Sequence, residues 1–195
     1  MKSIKPVKPE KTVKPFWAYP LTWFVVVAVA SVLAVATPRQ LGVMGHLPAV
    51  VRQALGLKPA AVKVGDDRIL ALITFNRDQR KAAESWISGL KLQNDQSISW
   101  IRMPVVNDPG DPMTRAALER RLMAHYASAQ ERSNLLPIFV DRDAFVQSAG
   151  LLDTGSAYVL VINRNGDVLA RVAGEFDESK AQAVRETLFS DLQGL

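Results

Sequence analysis

The side chains able to do chemistry in this 195-residue chain are few and scattered. His125-Tyr126 sets a titratable imidazole beside a phenol, an arrangement that suits a general base. Near the end of a helix, the same histidine is better accounted for as a surface residue at the negative end of the helix dipole. Asp141 and Asp143 could pair on a hard cation, yet an aspartate just ahead of a helix is an N-cap with no ligand at all, and Arg142 adjoins both. Ser156 is a hydroxyl with no histidine brought to it by any recognisable motif. Gly150, Gly155 and Gly166 lie too far apart for a loop that cradles phosphate. Arg120-Arg121 is a solvated helix face. No catalytic residue, cofactor or metal ligand is assigned from these residues.

Absences narrow the chemistry further. The chain has no cysteine and only two histidines, His46 and His125. Disulfides, Cys-ligated zinc, Fe–S clusters and thiol nucleophiles are thereby excluded, and a histidine-rich metal site is not expected.

A net charge of +5 and a sequence pI near 9.6 invite a nucleic-acid partner, until the charge is located. Lys2, Lys5, Lys8, Lys11 and Lys14 stand against Glu10 in residues 1–36, a net of +4, which leaves the other 159 residues at +1. Nothing after residue 36 concentrates Lys and Arg among aromatics, so no nucleic-acid partner is expected.

The lysines recur every third residue among prolines, so residues 1–15 read as an extended, solvated basic tail. They meet an uncharged run, Phe16 to Ala36, of 21 residues. At about 1.5 Å per residue a helix of that length spans the roughly 30 Å hydrocarbon layer. Trp17, Tyr19 and Trp23 cluster at its lysine-flanked end, as in an aromatic belt at the headgroups. Residues 16–36 are therefore read as a transmembrane helix anchored in the bilayer. The lysine bias predicts a cytoplasmic N-terminus and a periplasmic C-terminal domain: a single-pass protein of the inner (cytoplasmic) membrane. A cleaved signal peptide is the competing reading, since Ala34-Val35-Ala36 fits the small-x-small cleavage pattern. The run, however, exceeds the 7 to 15 residues usual for a signal sequence, and its aromatic entrance suits a permanent anchor.

Residues 37–65 form a connector punctuated by Pro38, Pro48 and Pro59. One amphipathic piece in it sets Val50, Val51, Ala54 and Leu55 on one face, with Arg52 and Gln53 opposite, and suits either the membrane surface or packing on its own domain or a partner. Residues 66–195 are expected to be globular. Ile69 to Phe75 is a strand of nearly continuous apolar residues. Ala82, Ala83, Trp86, Ile87 and Leu90 follow at helical spacing, and Ile98 to Val106 is the next strand. Asp111 caps a helix whose first residue is Pro112, with Ala117, Leu118, Leu122, Met123 and Tyr126 inward and Arg115, Glu119, Arg120 and Arg121 outward. Ile138 to Val140 is a short strand, and Asp141 caps a short helix. Ala157 to Ile162 and Val168 to Val172 flank Asn165-Gly166, a strong hairpin signal. A closing helix carries Ala181, Val184, Leu188 and Leu192 inward. The order β-α-β-α-β-α-β-β-α predicts an α/β fold with a central mixed sheet flanked by helices.

The segment Pro137-Ile138-Phe139-Val140-Asp141 through Gly150-Leu151, followed by Ser156 to Val168 and Gly174, resembles the thioredoxin-like superfamily, of the peroxiredoxin and TlpA type. The resemblance covers roughly residues 66 to 192 and implies a thioredoxin-like fold. In the redox-active families the nucleophilic cysteine follows the first core strand, here Asn76 to Lys81; none is present. The proline that those families place before the strand starting at Ala157 is replaced by Ser156. Because only a thiolate performs thiol–disulfide exchange, the former redox positions Asn76, Arg77, Arg80 and Ser156 would line a vacated pocket. Through Asn107 to Pro112 the chain is similar also to the membrane-anchored Sco-type copper chaperones, whose cysteine copper ligands it lacks, and in the hairpin segment to the mitochondrial ATP-synthase assembly factors. Those likenesses imply a redox-inert, membrane-anchored assembly factor or accessory subunit that acts by protein–protein interaction on an integral membrane complex, without a cofactor and not as an enzyme. The alternative is an exported cysteine-free enzyme or small-ligand-binding protein that uses the pocket.

Overall fold

Ile69 to Ile73 holds five consecutive apolar residues, and a strand can bury all of them only if both of its faces are covered. In the computed structural model this is strand β2 (Arg68–Thr74). Ile69, Ala71 and Ile73 enter one hydrophobic cluster, while Leu70 and Leu72 enter another on the opposite side, as the two-residue period of a strand requires. The structure describes residues 42–56 and 67–190. The basic tail, the apolar run with Trp17, Tyr19 and Trp23, part of the connector and Leu192 lie outside these residues. Among the described residues, no helix is long and apolar enough to cross a membrane.

Helix α1 (Ala49–Gly56) and the short strand β1 (Gly45–His46) precede β2. From β2 the chain passes through α2 (Arg80–Gly89) to β3 (Trp100–Val106), which lies parallel to β2 with Leu70 opposite Trp100 and Thr74 opposite Pro104. Next come α3 (Pro112–Met123), α4 (Ala129–Ser133), β4 (Ile138–Phe139) and α5 (Arg142–Ser148). The hairpin β5 (Tyr158–Asn163) and β6 (Asp167–Ala173) leads to α6 (Glu178–Phe189). The sheet order is β1-β6-β5-β2-β3-β4. Strands β2, β3 and β4 are parallel, β5 runs antiparallel beside β2, and β6 and β1 continue antiparallel beyond it. A β-α-β unit joined through its first strand to a β-β-α unit is the thioredoxin-like arrangement that the resemblance implied. The three apolar segments at 69–75, 98–106 and 157–162 share one sheet, as expected.

Each face of the sheet carries its own core. Ala83, Trp86 and Ile87 of α2 and Ala181 and Val184 of α6 cover Leu70, Leu72, Val159 and Val161. On the other side Phe145 of α5 and Val51 and Leu55 of α1 cover Ala71, Ile73, Met103 and Leu160. A fully buried side chain of this kind contributes about 1.5–3 kcal/mol relative to an exposed one. Two aromatics bind the layers further: the Trp86 indole N–H donates to the Gly174 carbonyl at 2.9 Å, and Phe176 meets the Trp86 ring edge-on with centroids 5.3 Å apart.

Several expectations are met by particular atoms. The Asp111, Asp141 and Asp177 carboxylates accept from the backbone N–H groups of Thr114, Ala144 and Lys180, so each aspartate is an N-cap. In the hairpin, Gly166 adopts φ 79° and its N–H donates to the Asn163 carbonyl, a left-handed turn position open to glycine without steric cost.

Others are corrected. Helix α3 was expected to be a core helix, yet none of its residues is buried; Leu118, Leu122 and Met123 are half-buried and Ala117 is exposed. The connector helix α1 packs on its own domain through Val51 and Leu55, while Val50, expected on the same face, is 58% exposed. Strand β1 and helix α4 were not anticipated. Strand β1 forms because Met44 and Leu47 N–H groups donate to Val168 and Gly166 carbonyls on the edge of β6, a non-local pairing with no periodicity of its own.

Candidate functional site

Parallel strands β2 and β3 end side by side, and open α/β sheets commonly place ligand crevices beyond the carboxyl ends of such strands. A cavity of about 250 Å³ opens there. Thr74 to Arg77 and Pro104 to Val106 make its floor, and α3 closes it from above.

The floor is fixed by Gln79, a buried polar residue of the β2–α2 loop. Its Oε1 accepts from the Phe75 N–H at 2.7 Å, and its Nε2 donates to the Thr154 carbonyl at 2.7 Å. Asn76 Oδ1 in turn accepts from the Gln79 N–H at 3.1 Å. One glutamine therefore ties the loop after β2 to the loop before β5, the two loops at which the sequence resemblance expected a cysteine and a proline. Satisfying both ends of a buried amide in this way holds the loops in one arrangement.

The roof is anchored at the start of α3. Arg115 forms an ion pair with Asp108 and lies over the Phe139 ring, 5.8 Å from its centroid. The Arg115 hydrogen bond holds the Asp108 carboxyl below its ordinary range, and the Thr114 hydrogen bonds do the same for Asp111. From this anchor Leu118 and Leu122 project over the cavity, with Arg121 beside them. The apolar face of α3 is thus turned to a cavity instead of a packed core, which explains why it is only half-buried.

His125 and Tyr126, just beyond α3, complete the wall. His125 Nδ1 lies 2.6 Å from the Arg121 carbonyl, which can only accept, so Nδ1 carries the proton. Its Nε2 then presents a lone pair to Arg77 Nη2 at 3.3 Å. The Tyr126 ring is flanked by Arg80 at 4.9 Å and Arg102 at 5.1 Å from its centroid, two cation–π contacts. Arg102 and Arg80 also share Glu84.

Of the four positions expected from the sequence to line a vacated redox pocket, Asn76, Arg77 and Arg80 line this cavity and Ser156 does not. Sequence reading missed Gln79, Glu84, Arg102 and Arg142, and assigned Arg121 to a solvated face although it lines the cavity. A glutamine five residues after a strand end offers only a faint signal, whereas a lone arginine within the apolar run of β3 is a signal that could have found Arg102. Asp141 is occupied as the α5 cap, and Asp141 and Asp143 form no cluster of metal-ligating type with other residues among those described.

No protein-family model matches the chain, and no curated protein matches it significantly. Solved structures similar to it include BsSco, a member of the Sco family of cytochrome c oxidase assembly proteins, at 12% identity and TM-score 0.42, over 63% of this chain and 81% of that one. The exposed lipoprotein thioredoxin Etrx1 of Streptococcus pneumoniae matches at 9% identity and TM-score 0.41, over 65% and 89%. A thiol:disulfide interchange protein from Bacteroides sp. matches at 12% identity and TM-score 0.36, over 71% and 80%.

Proposed function

We propose that this chain is a redox-inert, membrane-anchored thioredoxin-like protein that acts by protein–protein interaction, as an assembly factor or accessory subunit of an integral membrane complex. The observation that carries the reading is the loop after β2. It is held in place by Gln79, yet it offers Asn76 and Arg77 where thiol–disulfide exchange needs a thiolate, and the whole chain has no cysteine. A fold kept intact around a position without its nucleophile is a fold used for its surface. The uncharged run at Phe16 to Ala36, with lysines before it, supports a bilayer anchor that would hold that surface beside membrane partners.

The test is purification of the chain in mild detergent through a tag at Leu195, combined with deletion of its gene. Expected are the subunits of one membrane complex in constant proportion, and a lower amount of that assembled complex in the deletion strain with its subunits still synthesised. Recovery of the chain alone, together with turnover of a small substrate that needs no thiol, would overturn this reading.

One observation favours a second reading, a small-ligand-binding protein: a cavity lies beside the vacated position, and its lining combines apolar and cationic side chains.

A further inference from the structure

The cavity beyond β2 and β3 combines two kinds of wall. Pro104, Val106, Leu118 and Leu122 supply apolar surface, and Arg77, Arg80, Arg121 and Arg142 supply guanidinium groups around it. No aspartate or glutamate is among the lining residues. Arg80 is answered by Glu84 outside the cavity, at 3.7 Å. Arg77, Arg121 and Arg142 form no ion pair among the described residues; Arg142 Nε donates to the Val105 carbonyl at 3.2 Å and Arg77 Nη2 turns to His125 Nε2. Three guanidinium groups without carboxylates converge on one concave site in a domain whose charge outside residues 1–36 is only +1. Elsewhere in the domain Arg102, Arg115 and Arg185 each pair with a carboxylate.

We propose that this cavity binds a small amphiphilic anion: a carboxylate or phosphate head held by Arg77 and Arg121, and a short apolar body between Leu118, Leu122 and Pro104. The planar guanidinium fork matches the oxygens of either head. The volume of about 250 Å³ lies just below the usual range for drug-sized ligands, which admits a single ring or a short chain and excludes a diacyl lipid. The Nδ1 hydrogen bond of His125 to the Arg121 carbonyl turns Nε2 toward Arg77, so the ring orients this guanidinium. The proposal deepens the small-ligand reading and is independent of the docking role.

Its test uses the full chain in detergent micelles, with phenyl phosphate, benzoate, inorganic phosphate and phenol as probes, titrated by calorimetry and by amide chemical shifts. Expected is saturable binding of phenyl phosphate or benzoate, with shifts concentrated at Asn76, Arg77 and His125. Inorganic phosphate should bind at least about tenfold more weakly than phenyl phosphate, for want of an apolar body. Arg77→Gln and Arg121→Gln should each weaken binding about tenfold or more, as expected for loss of a charge-assisted hydrogen bond, with melting curves unchanged, and Arg185→Gln should leave binding as it is. Binding that both cavity variants leave untouched, or neither organic anion binding tighter than inorganic phosphate, would overturn the proposal. Saturable binding of phenol with none of either organic anion would overturn it while leaving a ligand cavity in place; binding of no probe would remove the small-ligand reading as well. None of these outcomes alters co-purification with a membrane complex.

Discussion

A guanidinium inside a sheet keeps its charge at any ordinary pH, so it must be answered by its neighbours. Arg102 on β3 is such a group: its side chain is 4% exposed, it pairs with Glu84 of α2, and it lies over the Trp100 and Tyr126 rings. Its Nε is the one buried side-chain polar atom without a partner among the described residues, so Glu84 carries nearly all of the compensation. Replacing Glu84 with Gln leaves the arginine buried and uncompensated. The expected loss is about 1–3 kcal/mol of unfolding free energy, the cost of orphaning a buried polar group; it stays below that of a fully buried pair because Glu84 is itself 37% exposed. The double variant Glu84→Gln/Arg102→Met removes the charge as well as its partner and should recover most of that loss. Urea unfolding of the three proteins measures both quantities, and a double variant less stable than Glu84→Gln alone would show that the aromatic contacts of Arg102 outweigh its desolvation.

Elements differ in how much of them is local, and that difference decides what the sequence discloses. Strands β2 and β5 and helices α2 and α6 announce themselves by apolar period, because each packs directly on the sheet. Helix α3 is far less amphipathic; its Leu118 and Leu122 face a cavity, and the spacing of those two leucines alone does not distinguish a core from a cavity wall. The site was legible as far as Asn76, Arg77 and Arg80, which are contiguous with β2; Arg121 and Arg142 arrive from distant elements, and only the sheet order brings them there. Strand β1 is the extreme case. It is seated by close approach: a Cβ on Gly45 would stand 2.5 Å from the Ala149 carbonyl carbon. Gly45→Ala should therefore lift β1 off β6, reduce stability by about 1–3 kcal/mol as overpacking does, and speed hydrogen exchange at the Met44 and Leu47 amides, which bond to β6. Unchanged protection at those two amides would contradict the contact. The helix caps set the acid limit of the fold. Hydrogen bonds from Thr114, Ser128 and Ser179 hold Asp111, Glu131 and Asp177 below their ordinary values of 3.8, 4.5 and 3.8. A carboxyl with a lowered folded value stabilises fully above its ordinary value, and that stabilisation is lost as pH falls through the lowered one. Melting temperature should thus be insensitive to these groups near neutrality and fall progressively below about pH 4, and Asp177→Asn should make that fall shallower.

At the scale of the whole molecule, the charge divides the chain into two parts with different physics. Residues 37–195 are nearly neutral, so the domain has no long-range field to draw it to phosphate or to a membrane surface. The tail holds the remaining +4, next to a 21-residue run without charge. If that run is a retained anchor, the chain should leave the membrane fraction with detergent but not with high salt or carbonate, and its mass should remain 21.4 kDa; loss of residues 1–36 from the mature chain would sink the anchor. Orientation is the sharper test, because it isolates the tail. Five lysines precede the run, whereas Arg39 and Arg52 follow it, with Lys58 slightly farther on, and the positive-inside bias acts mainly through flanking residues within about 15–20 positions of the helix ends. Replacing Lys2, Lys5, Lys8, Lys11 and Lys14 with Gln removes the bias and leaves three cations on the far side. A reporter that is active only after export, fused at Leu195, should be fully active on the native chain and lose a large part of its activity on the five-lysine variant, as a fraction of molecules inserts the other way. Equal activity in both would mean that the domain is exported regardless of the tail, and the lysines would then need another role.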